Sequence, residues 1–219
     1  MAIFLLNIFS FVIAVVLLSY WLNELYRADK CQMAYPGKHP AAWHLRSLKI
    51  LFATGGPLLV AALMDMDLAA YLVCGDSPKG FFLAIFTGFL LIMLAGDLEQ
   101  QIIYDKQLAL FAVMGLIQTL LLYPALLEDH LLAALAGGVG FLLLAVLTRG
   151  GIGGGDIKLL SALGLWLGTN ALEFVALGGI MLGGLFALLA MMTQNKGRRD
   201  FIPYSPAFIL LAIFAFIVF

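Results

Sequence analysis

Two aspartates in an otherwise apolar chain have the setting for acid–base chemistry. Asp156 follows a run of glycines and opens an apolar helix in GGIGGGDIKLLSALGLWLG (150–168), and Asp97 closes another in LLIMLAGDLEQQIIYDKQL (90–108). Two carboxylates brought together cannot both ionise easily, so one keeps a proton and the pair titrates as a unit. The ionised member can take a proton from water while the protonated one hydrogen-bonds a carbonyl under attack. That is amide hydrolysis without metal, cofactor or covalent intermediate. Which aspartate serves as base and which as acid stays open.

The elements that must position this pair are membrane helices. Of the 219 residues, 63% are hydrophobic and 11% charged, and the mean hydropathy is +1.06. Soluble domains run at about 45–50% apolar and about 25% charged. The expected fold is therefore an all-α, polytopic membrane helix bundle. Its apolar stretches are 2–22, 48–64, 80–96, 106–124, 131–148, 157–168, 171–192 and 203–219. The runs are continuous rather than alternating, which argues against a β-barrel. About 20 apolar residues cross a bilayer, so 157–168 is too short for a full upright span. The first stretch has no basic residue before it and is expected as a retained helix, not a signal peptide. The whole chain, 1–219, reads as one membrane domain. Residues 1–79 supply N-terminal helices with a cytoplasmic loop at 23–47, and 80–219 form the core.

Basic residues orient the bundle, because cytoplasmic loops are rich in Lys and Arg. With alternating crossings and the N-terminus outside, the inner loops hold Arg27, Lys30, Lys38, Arg46, Lys49, Lys106, Arg149, Lys158, Lys196, Arg198 and Arg199, and the outer loops only Lys79. The expected topology is N-out and C-out with eight crossings. Both Asp97 and Asp156 then emerge on the cytoplasmic face, although the orientation used no acidic residue. The other acids have plainer readings: Asp65, Asp67, Asp76, Glu128 and Asp129 as solvated loop residues, and Glu24, Asp29 and Asp200 among basic neighbours. Net charge of −1 gives no reason to expect nucleic acid binding.

Smaller features add little chemistry. Cys31 and Cys74 fall on opposite sides and at no metal-ligand spacing. His39 and His44 lack a third ligand type nearby, so no metal is expected. His130 reads as a solvated neighbour of Asp129, and Trp21, Trp43 and Trp166 as interfacial anchors. Around Asp156, glycine leaves the backbone free to take positive φ and to lie close to a ligand, and an extended peptide could pair with it. Gly-rich turns and Asp helix caps are also common for packing alone.

These motifs resemble those of the type IV prepilin peptidases, membrane aspartyl proteases of the GxGD class. The family's second motif, GxGDxK before a small-and-apolar helix, stands here as Gly153-Gly154-Gly155-Asp156-Ile157-Lys158 followed by LLSALGLWLG. Its first motif stands as Asp97 followed by LEQQIIYD, with Tyr104 where proline is usual and Asp105 closing it. IPYSPAF (Ile202 to Phe208) is similar to the family's Pro-aromatic-small-Pro segment. The likeness covers roughly 80–219. Larger members also have a cytoplasmic domain with paired CxxC motifs; the corresponding loop has Cys31 alone, which puts their N-methyltransferase activity in doubt here. Presenilin-like proteases share GxGD, but Tyr104-Asp105 and Pro124-Ala125-Leu126 match their other motifs only as short fragments, the latter on the wrong side of GxGD.

The resemblance implies an aspartic endopeptidase in the bacterial cytoplasmic (inner) membrane, removing short basic leaders from prepilins or pseudopilins at the cytoplasmic face. Its partners would be that substrate, the bilayer, and pilus or secretion assembly machinery. No cofactor or metal is implied. Asp97 and Asp156 would be catalytic, and Gly153 and Gly155 would seat the scissile strand. Lys158 lies about 200° around the helix from Asp156 and reads equally as a functional residue or a snorkelling lysine. Glu99 reads as a binder of the basic leader or as a solvated loop acid. An ion-coupled transporter also uses intramembrane acids and broken helices, but it calls for an internal repeat, and none stands out. An inactive assembly factor is the other alternative; the presence of both aspartates speaks against it.

Overall fold

The structure, a computed structural model, describes residues 2–28, 44–47, 49–50, 77–149, 151–193 and 205–219. The expectations for most of the stretch 48–64, most of the loop 23–47 with Cys31, His39 and Trp43, Cys74, and the basic cluster at 196–199 lie outside them. Every element among the described residues is helical. They are α1 (Ala2–Ala28), α2 (Ser77–Gln100), α3 (Asp105–Leu122), a 3-10 turn (Pro124–Leu126), α4 (Leu127–Leu147), α5 (Gly154–Thr193) and α6 (Ser205–Val218). Among those residues, α2, α3, α4 and α5 are long and apolar enough to cross a membrane. This is an integral membrane protein of all-α class, built as two compact units, Met1–Tyr104 and Asp105–Phe219.

In the first unit α1 packs on α2. Val15, Leu18, Ser19, Leu22, Leu25 and Tyr26 are buried and recur every three or four residues, the period of one helix face. Phe82, Phe86, Phe89, Leu90 and Met93 are among the buried residues of α2. Outward-facing Leu17 is 62% exposed, as a side chain solvated by lipid can be.

In the second unit α5 is the central element, in contact with α3, α4 and α6. Its 40 residues are broken at Gly168, where φ is 72° and ψ is −178°, a conformation essentially confined to glycine. A Cβ on Gly137 of α4 would lie 2.9 Å from Leu160 O and 3.1 Å from Leu172 Cδ2. In a straight helix those two residues would stand about 18 Å apart along the axis. The arms 154–167 and 169–193 therefore double back on each other at Gly168, which is why the sequence shows two apolar stretches there.

Reversal strips two peptide groups of their helical partners. In an unbroken helix Thr169 N–H would bond Leu165 O. Instead Thr169 N donates to Asp129 Oδ2 at 3.0 Å, and Thr169 Oγ1 donates to Asp129 Oδ1. Leu165 O accepts from His130 Nδ1 at 2.9 Å, so that nitrogen carries the proton, and lies 2.9 Å from the Thr119 hydroxyl. The expectation that Asp129 and His130 are solvated is thus corrected. Asp129 caps the second arm, and His130, 6% exposed, caps the first. Trp166 is corrected as well. It is buried rather than interfacial, donates from Nε1 to Phe111 O at 2.8 Å, and stacks on Phe111 with ring centroids 5.2 Å apart.

Close approach of α4 to the first arm depends on small residues. A Cβ on Gly164 would fall 2.4 Å from Ala134 N and 2.5 Å from Ala133 C, both backbone atoms. Ser161 Oγ donates to Ala134 O at 2.9 Å along the same seam. We expect Gly164→Ala to lower stability by about 1–3 kcal/mol through overpacking. Gly140→Ala, whose Cβ meets nothing within 4 Å, should not be destabilising. Thermal unfolding in detergent compares them, and equal midpoints would contradict this packing. Gly168→Ala should also be destabilised, because its Cβ would meet Asp129 Oδ2 at a backbone angle alanine avoids.

Candidate active site

Asp97 lies in the last turn of α2 and is buried, 6% exposed. The helix ends where Gln101 turns to φ 54°, its N–H donating to Asp97 O at 2.8 Å. A left-handed residue is a common helix stop, but outside glycine it costs about 1–2 kcal/mol. The returning chain passes over Gly96, where a Cβ would stand 3.1 Å from Ile102 O. Tyr104, at the position where the resemblance leads one to expect proline, is buried, its ring edge-on to Tyr26 with centroids 5.9 Å apart.

Glu99, two residues beyond Asp97, is held by an arginine that sequence reasoning left among the loop cations. Arg46 donates from Nε to Glu99 Oε1 at 2.8 Å and from Nη2 to Oε2 at 2.6 Å. Its Nη1 donates to Asn23 Oδ1 at 2.8 Å and Ser19 O at 3.2 Å, and its guanidinium lies 5.5 Å from the centre of the Tyr26 ring. Arg46 is 2% exposed. No pattern in the sequence distinguishes it from Lys38 or Lys49; only the pairing with Glu99 does.

Asp156, equally buried, stands in the first turn of α5 in the second unit. Gly153 O accepts from Asp156 N at 3.1 Å and from Ile157 N at 3.3 Å, which starts the helix. None of Gly151, Gly153, Gly154 and Gly155 has positive φ; the left-handed residue on this side is Arg149, at φ 53°. The glycines act here by omission of side chains: a Cβ on Gly154 would meet open space. First-turn N–H groups of a helix have no internal acceptor, and nothing on Gly154 or Gly155 covers theirs.

Lys158 pairs with Asp105 Oδ1 at 2.6 Å. Beside that pair an open groove of about 380 Å³ runs between α3 and the first arm of α5, with Ala109, Ala112, Ser161 and Ala162 in its lining. Among the described residues no three His, Cys, Asp or Glu side chains gather closely enough to hold a metal ion.

Residues 84–188, which include both aspartates, match the type IV leader peptidase family. Over 152 residues, 68% of this chain, the sequence is 31% identical to a prepilin leader peptidase/N-methyltransferase of Bacillus subtilis. Over 194 residues, 85% of the chain, it is 28% identical to one of Aeromonas salmonicida. Residues 84–188 thus form a segment of the type IV leader peptidase family within this chain. The chain spans 60% of the length of each of those two relatives. A third, from Burkholderia pseudomallei, is 34% identical over 146 residues, 64% of this chain and 47% of its own length. No solved structure matches the chain.

Two ion pairs among the described residues, Arg46–Glu99 and Lys158–Asp105, should differ in worth. Lys158 and Asp105 are 56% and 74% exposed at their side chains, and exposed pairs contribute about 0–1 kcal/mol. Removing one partner of a buried pair costs about 3–5 kcal/mol. In thermal unfolding, Arg46→Ala should therefore shift the midpoint well beyond Lys158→Met. The reverse order would contradict the burial of Arg46.

Proposed function

We propose that this protein is an aspartic endopeptidase that removes the short basic leader of type IV prepilins or pseudopilins. Asp97 and Asp156 form the dyad that activates water and polarises the scissile carbonyl. What carries this reading is that the two acids the motifs single out both lie within the residues matching the leader peptidase family, each buried at a helix end. Burial of two carboxylates is costly, and a shared proton relieves that cost. Gly153 and Gly155 seat the substrate strand, with the uncovered N–H groups of the first turn of α5 available to it. Glu99 and Lys158 are engaged by Arg46 and Asp105, so cleavage is assigned to the aspartates alone. Methyl transfer is not assigned.

The enzyme works at the cytoplasmic face of a bacterial cytoplasmic membrane, crossing it eight times with both termini outside. The distribution of basic residues supports that orientation, and the reversal at Gly168 supports counting the arms of α5 as separate crossings. Pilus or secretion assembly machinery receives the product.

Co-expression of a prepilin with the wild type, Asp97→Asn, Asp156→Asn and Asp105→Asn tests the assignment in membranes. Asn keeps the size and removes the titrating proton. Leader removal should fall by about a thousandfold or more for the first two variants, the scale seen when a catalytic group acting in concert is lost, and persist for Asp105→Asn. Cleavage that survives loss of Asp97 but not of Asp105 would move the dyad to Asp105.

A further inference from the structure

We infer that Arg46 is a positioning residue for Asp97, acting through Glu99, an inference that rests on the proposed cleavage chemistry. Asp97 sits where α2 ends, and the last carbonyls of a helix have no internal donors, so such a turn frays unless something else holds it. Two devices hold this one. The chain folds back through left-handed Gln101 over Gly96, and Arg46 grips Glu99 through two parallel hydrogen bonds. A planar guanidinium fork fixes the orientation of a carboxylate as well as its place, which a lysine ammonium cannot do.

The grip is itself anchored. Nη1 binds Asn23 and Ser19 of α1, and Tyr26 of the same helix lies against the guanidinium. Arg46 therefore ties three pieces of the first unit together: the turn at 44–47, α1 and the catalytic end of α2. A buried ion pair is often no more stabilising than well-packed apolar residues of similar volume, so bulk stability is a poor reason for one beside Asp97. Orientation of the turn is a better one. Both oxygens of Glu99 accept from Arg46, so the charge of Glu99 is already met within the first unit.

The test uses the full chain in proteoliposomes with two prepilin substrates, one with its basic leader and one with the leader Lys and Arg changed to Gln. Arg46→Lys and Glu99→Gln should each lower kcat about ten- to a hundredfold, the scale of a small misplacement of a reacting group. KM should move less than about threefold, since ground-state binding is not what is lost. The factor should be the same for both substrates, and the double variant little worse than either single. Wild-type kcat in both variants, or a KM rise confined to the basic leader, overturns the inference; the second outcome would make Glu99 a reader of the leader. Thermal unfolding identifies a variant that fails to fold. Glu99→Gln, which keeps the shape but offers the guanidinium one acceptor where there were two, decides if Arg46→Lys is lost. Asp97→Asn and Asp156→Asn run alongside. If they are inactive while Arg46→Lys is normal, only the positioning role fails; if they still cleave, the dyad and the positioning role fail together.

Discussion

Leu165 O and Thr169 N–H would bond each other in an unbroken helix, and the architecture of the second unit follows from their separation. A buried reversal is tolerated only where other protein groups replace the lost bond. Asp129 at the start of α4 takes the N–H, His130 beside it takes the carbonyl, and Thr119 of α3 closes on the same oxygen. Three helices are thereby tied to one turn. With the turn fixed, the first arm of α5 runs back along the glycine seam of α4, at Gly164 and Gly137, and brings Asp156 to the opposite end.

The first unit uses charge in place of peptide groups. One guanidinium satisfies acceptors on α1 and on the end of α2, and it does so almost without exposure. At the start of α5 the corresponding ion pair, Lys158 with Asp105, is open to its surroundings. Similar distances thus describe different physics. The exposed pair can separate at little cost, while parting Arg46 from Glu99 would strand a buried guanidinium beside a partly buried carboxylate.

Sequence periodicity and length made much of this legible, because hydropathy reports whether a segment is buried in protein or lipid. The long helices, the start of α5 at Asp156 and the division into 157–168 and 171–192 were all readable. Gly168 lies between those stretches, but nothing local says that its φ is positive or that the chain reverses there. What pattern could not supply is the choice of partner. Asp129 and His130 look like loop residues because the groups they cap are some forty residues on. Arg46 looks like one more inner-face cation because Glu99 is 53 positions away. Trp166 sits near a helix end, where an interfacial ring is the usual reason, yet here that end is an interior turn against Phe111. The glycines before Asp156 suggested unusual dihedrals, yet Gly153, Gly154 and Gly155 take no positive φ.

The depth of Asp156 follows from the same packing. Gly137 of α4 lies level with Leu160, and the two helices run in opposite directions. Asp156, four residues before Leu160, is then level with about position 141 of α4. That helix continues to Leu147, about 9 Å farther, and Leu142, Leu143, Val146 and Leu147 on the extra length are all exposed apolar side chains. On the other side, Asp105 opens α3 at about the level of Lys158, and both are exposed. This end of the second unit is therefore stepped, with a polar floor beside α3 and a taller apolar wall along α4. Residues 151–153 lead into α5 at the foot of that wall, and from Gly151 to Gly155 only Ile152 bears a side chain.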